Sequence, residues 1–360
     1  EVVTNDRPRI DYTDTSDGVL LLEKAATNLV TYSEDFSNAS WTKNNSTVTN
    51  GFTSPDGTTN AFKLIEDTTV GEHSISASPL VGVSDLTTSI FVKYAGSEYI
   101  VLRSNSSGGA YLNCTFNLLT GENTFNGFLF GFEITLMANG WFRISGTNRS
   151  SASAFRVNSF ILSPTDVTSN STPSHTGDGT SGVYIYGAQV EAGNLSSYIP
   201  SQGSATTRVA ETASGSGNSE VFNDSQGVLF ANIAANADDL TQRALGISDG
   251  THSNRMSIVY NDGSSNALRM FVSNPSGTKS YITNSFNITQ NNKISIKLNG
   301  TSLSFWVNGF EIHTDTLSSA FVNGTLDTFD FAFFGNNTPF YGKTKEIGYY
   351  DTILTDLELE

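Results

Sequence analysis

Side chains spaced for acid–base work are concentrated in Glu311-Ile312-His313-Thr314-Asp315, where alternation along a strand would put Glu311, His313 and Asp315 on one face. Retaining glycosidases need two carboxylates ~5.5 Å apart, which such spacing can supply. The segment has neither a Glu-x-Asp-x-x-Glu run nor the Arg/Gln/His/Tyr strand motifs found in polysaccharide hydrolases and lyases. The other three histidines, His73, His175 and His252, are dispersed, and no Gly-x-Ser-x-Gly elbow or phosphate loop occurs. Cys114 is the only cysteine, which rules out an intrachain disulfide framework. It alternates with Leu112 and Phe116 in YLNCTFN and reads as a small core residue. These features argue for a non-enzyme, with polysaccharide depolymerisation as the rival.

Aromatic side chains beside small polar ones offer a second kind of chemistry, because the C–H faces of sugars stack on rings while Asn, Asp, Gln and Arg bond the hydroxyls. In SLSFWVN, Leu303, Phe305 and Val307 form the buried set, so Trp306 should point outward beside Ser304 and Asn308. An outward Trp is a platform for a sugar, an anchor for another domain or subunit, or a partly covered structural ring. In WFRIS, Phe142 and Ile144 alternate inward, which places Trp141 and Arg143 together on the opposite face.

These residues sit in a chain of 360 with 19 Lys+Arg against 35 Asp+Glu, a formal net charge of −16. Such a balance argues against nucleic acid and against an anionic bilayer as partner. Charged residues are only 15% of the chain, while 24 Phe, 13 Tyr and 3 Trp supply enough aromatic surface for packed cores. No apolar stretch approaches the ~20 residues of a spanning helix, so no membrane insertion is expected. The chain starts at Glu1 and stops inside an apparent helix start, which reads as a piece of a longer protein.

Helical periodicity is nearly absent, and short alternating runs recur between clusters of Gly, Asn, Asp, Ser and Thr, the pattern of sandwiches and barrels. Strands are expected at 89–94, 99–103, 141–145, 155–162, 183–191, 255–260, 267–272, 329–335 and 346–350. KISIKL, SLSFWV and FEI, separated by NGT and by Asn308-Gly309, predict a three-stranded meander over 293–312. Thr355 and Glu358 have capping-box spacing. The run IPSQGSATTRVAETASGSGN, poor in aromatics, places a domain boundary near residue 210. The expected fold is all-β, two different antiparallel β-sandwiches in tandem.

Four stretches together resemble an arrangement in tailed-bacteriophage tail and tail-fibre proteins: PRIDYTDTSDGVLLLEKAATNLVTYSEDFSNASWTK (8–43), PDGTTNAFKL (55–64), NGWFRIS (139–145) and GDGTSGVYIYGAQVEAGNLSSYIPSQGSATTRVAE (177–211). The likeness implies a carbohydrate-binding-module jelly roll over 28–210, preceded by a connecting segment, 1–27. LSFWVNGFEI (303–312) and YGKTKEIGYYDTILTDLELE (341–360) give 211–360 a resemblance to a concanavalin A-like or laminin-G-like sandwich.

The resemblance implies a virion protein of the phage tail, extracellular, that attaches to bacterial surface polysaccharide. A module that only assembles or decorates the virion is the alternative. Partners would be other virion proteins and further copies of the chain, a trimer by analogy. Trp141 recurs in that family as a scaffold feature, and Trp41 reads as a plug at the start of the jelly roll. No cofactor is required; a structural calcium of the kind such jelly rolls hold would fall to Glu34 or Asp35 with Glu191, and less readily to Asp56.

Overall fold

The computed structural model describes residues 9–13, 16–78, 85–105, 111–127, 130–149, 158–333 and 338–359. The chain is all-β and forms two compact units, one running Ala25–Arg208 and the other built from the residues up to Lys24 together with Val209 onward. We call them the inserted unit and the split unit. The chain therefore enters and leaves the inserted unit through one pair of neighbouring strands, Ala26–Asn28 and Thr206–Arg208.

The inserted unit is a sandwich of two six-stranded antiparallel sheets. One has the order Glu122–Asn126, Tyr111–Asn117, Tyr99–Asn105, Asn158–Ser163, His73–Ala77, Thr42–Asn44; the other, Phe130–Leu136, Phe142–Arg149, Asp85–Tyr94, Gly182–Ala192, Ala61–Glu66, Ser46–Phe52. Alternation sends Ile75, Ile100, Leu102, Phe116 and Phe160 inward from the first to meet Leu64, Ile90, Val92, Ile144, Val183 and Ile185 from the second. Each such side chain contributes roughly 1.5–3 kcal/mol on burial. Cys114 is buried in this core, as its alternation with Phe116 requires. Trp41 is 2% exposed, packs against Phe36 at 4.9 Å and donates Nε1–H to the Tyr32 carbonyl at 2.8 Å, the plug its position suggests.

In the split unit a seven-stranded sheet faces a five-stranded one. Leu229, Ile294, Ile296 and Phe305 of the first pack on Leu245, Ile247, Ile258 and Met270 of the second. The meander is present as Asn292–Asn299, Ser302–Val307 and Phe310–Thr316. Its turn has Asn308 at φ 52° and Gly309 at φ 86°, the left-handed pair that a two-residue hairpin needs. One half of the capping box forms: Thr355 N–H donates to Glu358 Oε2 at 2.8 Å, while the Thr355 hydroxyl donates to the same oxygen at 2.7 Å, at the start of the short helix Asp356–Leu359.

Of the expected connecting segment 1–27, two described stretches are strands of this unit, while residues 25–27 already belong to the inserted unit. Val19–Leu22 pairs with Gly342–Tyr350, Ile10–Asp11 extends the same sheet, and Leu22 lies in the core. The last strand of the sheet thus finds its partner at the other end of the chain, which local patterning could not signal. The expected strands 155–162 and 329–335 lie partly outside the described residues, at 155–157 and 334–335.

Candidate functional site

Strand Gly182–Ala192 carries a one-residue bulge between Tyr186 and Gln189, with Gly187 at φ 59°. A Cβ at Gly187 would stand 3.0 Å from the rings of both Phe91 and Tyr198, so the bulge depends on glycine. The backbone that the bulge frees is taken by the segment leading to Glu34. Ala188 N–H donates to the Ser33 carbonyl at 2.9 Å, and Asn28 Nδ2 donates to the Ala188 carbonyl at 3.0 Å. Ser33 N–H in turn donates to the Ser201 carbonyl at 3.1 Å. Glu34 is held in this way against Tyr186 and Tyr198.

Glu34 Oε1 accepts from Tyr186 Oη at 2.9 Å and from Tyr198 Oη at 3.0 Å, and Oε2 faces Asn60 Nδ2 at 3.4 Å. Tyr186 Oη also lies 3.2 Å from Asp56 Oδ2, so its one proton is shared between two carboxylates. Burial raises both phenol pKa values, and the Glu34 charge raises them further, so both rings remain donors. Asp56 belongs to the turn Ser54-Pro55-Asp56-Gly57-Thr58. Its Oδ1 accepts from Ser54 Oγ at 2.6 Å, Thr58 N at 2.9 Å and Thr58 Oγ1 at 2.7 Å.

Desolvation pushes the Asp56 carboxyl up, but the Ser54 and Thr58 hydrogen bonds outweigh it and bring the pKa down to about 2. A carboxylate held so low is a poor general acid near neutrality. The depressed folded value also fixes a sign. The stabilisation is present above the unfolded value of ~3.9 and disappears as pH falls through the folded one. Calorimetric scans should show the thermal midpoint dropping between about pH 5 and pH 2, and Asp56→Asn should flatten part of that drop. Superimposable pH profiles would contradict it.

Above this network opens a concavity of about 650 Å³ lined by Tyr32, Glu34, Asp35, Ser37, Asn50, Asn60, Phe62 and Gln202, among others. Its size suits one or two sugar rings, and its walls combine amide, hydroxyl and carboxylate groups with nearly as much apolar surface, the half-exposed ring of Tyr32 included.

The residues singled out from sequence lie elsewhere or serve other ends. Trp306 does leave the core face, yet it is only 5% exposed, and its Nε1–H donates to Ser304 Oγ at 2.9 Å. Phe230, Tyr350, Leu354 and Leu359 border the same small space beside it. Asn308 spends its amide on the hairpin, accepting from Lys293 N at 2.9 Å and donating to Asn292 Oδ1 at 3.1 Å. Trp141 is 1% exposed, within an aromatic layer that includes Phe91 and Tyr186, with Met137 packed against it. Arg143 shares its face, as alternation requires, but reaches Ser196 O at 2.8 Å and lies over the Phe91 ring. All three indoles are therefore covered, and stacking a sugar on Trp306 or Trp141 has no support in this arrangement.

The carboxylates sort differently from expectation too. Glu191 is buried and accepts from Gln189 Nε2, Ser196 N and Ser196 Oγ, while burial raises its pKa. Asp35 accepts from Ser37 N at 3.1 Å. The acid that joins Glu34 is Asp56, through Tyr186, rather than Glu191. Among the described residues no group of three or more His, Cys, Asp or Glu side chains is placed to hold a metal ion. The Glu311–Asp315 cluster is split by a bulge: Trp306 pairs with Glu311 and Phe305 with His313, so Ile312 is the extra residue and Glu311 turns to the opposite face. His313 stacks on Tyr281 at 4.8 Å, and Asp315 pairs with Lys279 at 3.1 Å.

Sequence reasoning missed Tyr186, Tyr198, Asn60, Tyr32 and Gln202. The detectable signal was Gly187 inside an otherwise regular strand pattern, the mark of a bulge.

No family model matches the chain, and no curated protein matches it. Among solved structures it is similar to the CBM40 of a Ruminococcus gnavus IT-sialidase, at 17% identity over 41% of this chain and 91% of that one, TM-score 0.34. It is also similar to domains LG4-5 of the mouse laminin α1 chain, at 11% identity over 96% and 92%, TM-score 0.29. Sheep galectin-11 gives 11% identity over 39% and 99%, TM-score 0.27.

Proposed function

We propose that the chain is a non-catalytic glycan-binding component of a phage tail fibre, which attaches the virion to bacterial surface polysaccharide. The observation that carries the binding is the polar concavity of the inserted unit. Its amides, hydroxyls and carboxylates match sugar hydroxyls, and Tyr32 offers a ring face. The phage setting rests on the resemblance of the four sequence stretches alone. Single sugar contacts are weak, so several copies in one fibre would supply avidity.

An exposed sheet edge supports self-association. Among the described residues Phe130–Leu136 pairs on one side only, with Phe132 44% and Leu136 69% exposed. The same edge favours the second reading, a module that only assembles the virion.

A glycan array probed with the full chain tests the proposal. Retention on at least one bacterial polysaccharide, weakened tenfold or more by Asn60→Ala, is the expected result. A blank array from a protein that sediments as a stable oligomer would leave the assembly reading in its place. Release of new reducing ends or unsaturated products from a bound polysaccharide would show a depolymerase instead.

A further inference from the structure

The face that carries Tyr186 continues one row along the sheet to Tyr184, and this row has a different charge. Tyr184 pairs with Lys93 on one neighbouring strand and with Lys63 on the other. All three point away from the core, because their neighbours Val92, Leu64, Val183 and Ile185 fill it. All three are half-buried. The Phe52 ring lies 4.7 Å from that of Tyr184 and extends the apolar surface.

What marks these two ammonium groups is the row they share, since Lys43 also rests on backbone carbonyls, those of Ser37 and Asn38. Lys24, Lys279, Lys297 and Lys343 each pair with an aspartate. Lys63 instead donates to the Thr180 carbonyl at 2.8 Å and Lys93 to the Asn139 carbonyl at 2.7 Å, with no carboxylate partner for either among the described residues. The nearest acid in sequence to Thr180, Asp178, is turned onto the Thr180 and Ser181 N–H groups. An ammonium has three donors, so each lysine keeps donors for a ligand. In a chain with 35 acids and 19 bases, two unpaired lysines flanking one tyrosine are a local reversal of sign. Their strands lie two sheet spacings apart, about 10 Å, with Tyr184 on the strand between them, so a ring lying on Tyr184 has a lysine-bearing strand on either side.

We propose that Lys63, Tyr184 and Lys93 form a subsite for a pyranose bearing an anionic substituent, the ring stacking on Tyr184 and Phe52 while the anion at its edge meets the ammonium group on that side. This rests on the glycan-binding reading and adds the charge of the sugar.

Tetragalacturonate, a sulfated heparin tetrasaccharide and uncharged maltotetraose, each titrated calorimetrically into the full chain, separate the outcomes. Either charged probe should bind at least tenfold tighter than maltotetraose and weaken as salt rises. The stronger of the two identifies carboxylate or sulfate as the group recognised. Lys63→Ala with Lys93→Ala should remove that preference and its salt dependence while the thermal midpoint and maltotetraose binding stay unchanged; Lys63→Arg with Lys93→Arg should retain the preference. Equal affinity for charged and uncharged probes, or a preference indifferent to the double alanine variant, would overturn the subsite and leave glycan binding standing. No binding of any probe, together with a blank array, would overturn both.

Discussion

Arg9→Ala should cost the split unit about 3–5 kcal/mol, the usual penalty for removing one member of a buried ion cluster. Arg9 Nη2 lies 2.6 Å from Glu23 Oε2 and 2.6 Å from Glu211 Oε2, and all three side chains are nearly buried. Glu211 Oε2 also accepts from Glu23 N at 2.7 Å, and Glu211 N donates to the Glu23 carbonyl at 2.9 Å. The cluster stands where the chain leaves the split unit and where it returns. Without the guanidinium, two carboxylates would face each other with little water to screen them. At ~2–4 °C per kcal/mol for a unit of this size, the midpoint should fall by roughly 6–20 °C. Adding Glu23→Gln and Glu211→Gln to the Arg9→Ala background should recover part of the loss, since the uncompensated charge is its source. A midpoint within 2 °C of the parent in Arg9→Ala would show the cluster to be incidental.

Trp141→Ala should cost the inserted unit a similar ~3–5 kcal/mol, because a fully buried aromatic leaves both lost transfer energy and a cavity. Trp141→Phe, which keeps most of the volume, should cost clearly less. Chemical denaturation of both variants measures this directly. The expectation separates a structural indole from a ligand platform: an exposed stacking residue would lose binding and leave stability almost unchanged. Near-parental stability combined with lost glycan binding in Trp141→Ala would return Trp141 to the site.

The all-β architecture was legible because period-two alternation is a local signal, and most of the expected strands recur. Asn308-Gly309 and Thr355–Glu358 were legible for the same reason, as turn and cap chemistry is written within four residues. The alternation of Trp306 and Trp141 away from the core faces was also read correctly. What failed was the inference from outward to exposed, since a sandwich can cover its outer face with segments remote in sequence. The aromatic layer around Trp141 spans several strands of one sheet, and Trp306 shares its space with Leu354 and Leu359 of the C-terminal segment.

The same non-locality hid the pairing of Val19–Leu22 with the last strand of its sheet, and so the insertion of one unit into the other. It also hid the site. Glu34, Asp56 and Tyr186 come together only through a bulge and three separate segments, and no spacing rule joins them. Glu34 was singled out as a calcium ligand, yet its partners in the structure are two phenols. The Glu311-His313-Asp315 pattern failed through a bulge as well: one extra residue reverses the facing of everything on its far side.

The most direct test of glycan binding at the inserted unit is a titration of the isotopically labelled full chain with a glycan retained on the array, followed by amide NMR shifts. Saturable shifts should cluster at Tyr32, Glu34, Asn60 and Gln202, spreading toward Tyr184, while the amides of the split unit stay fixed. Saturable shifts centred on Ser304, Trp306 and Asn308 would place the ligand on the wrong sandwich and contradict the account.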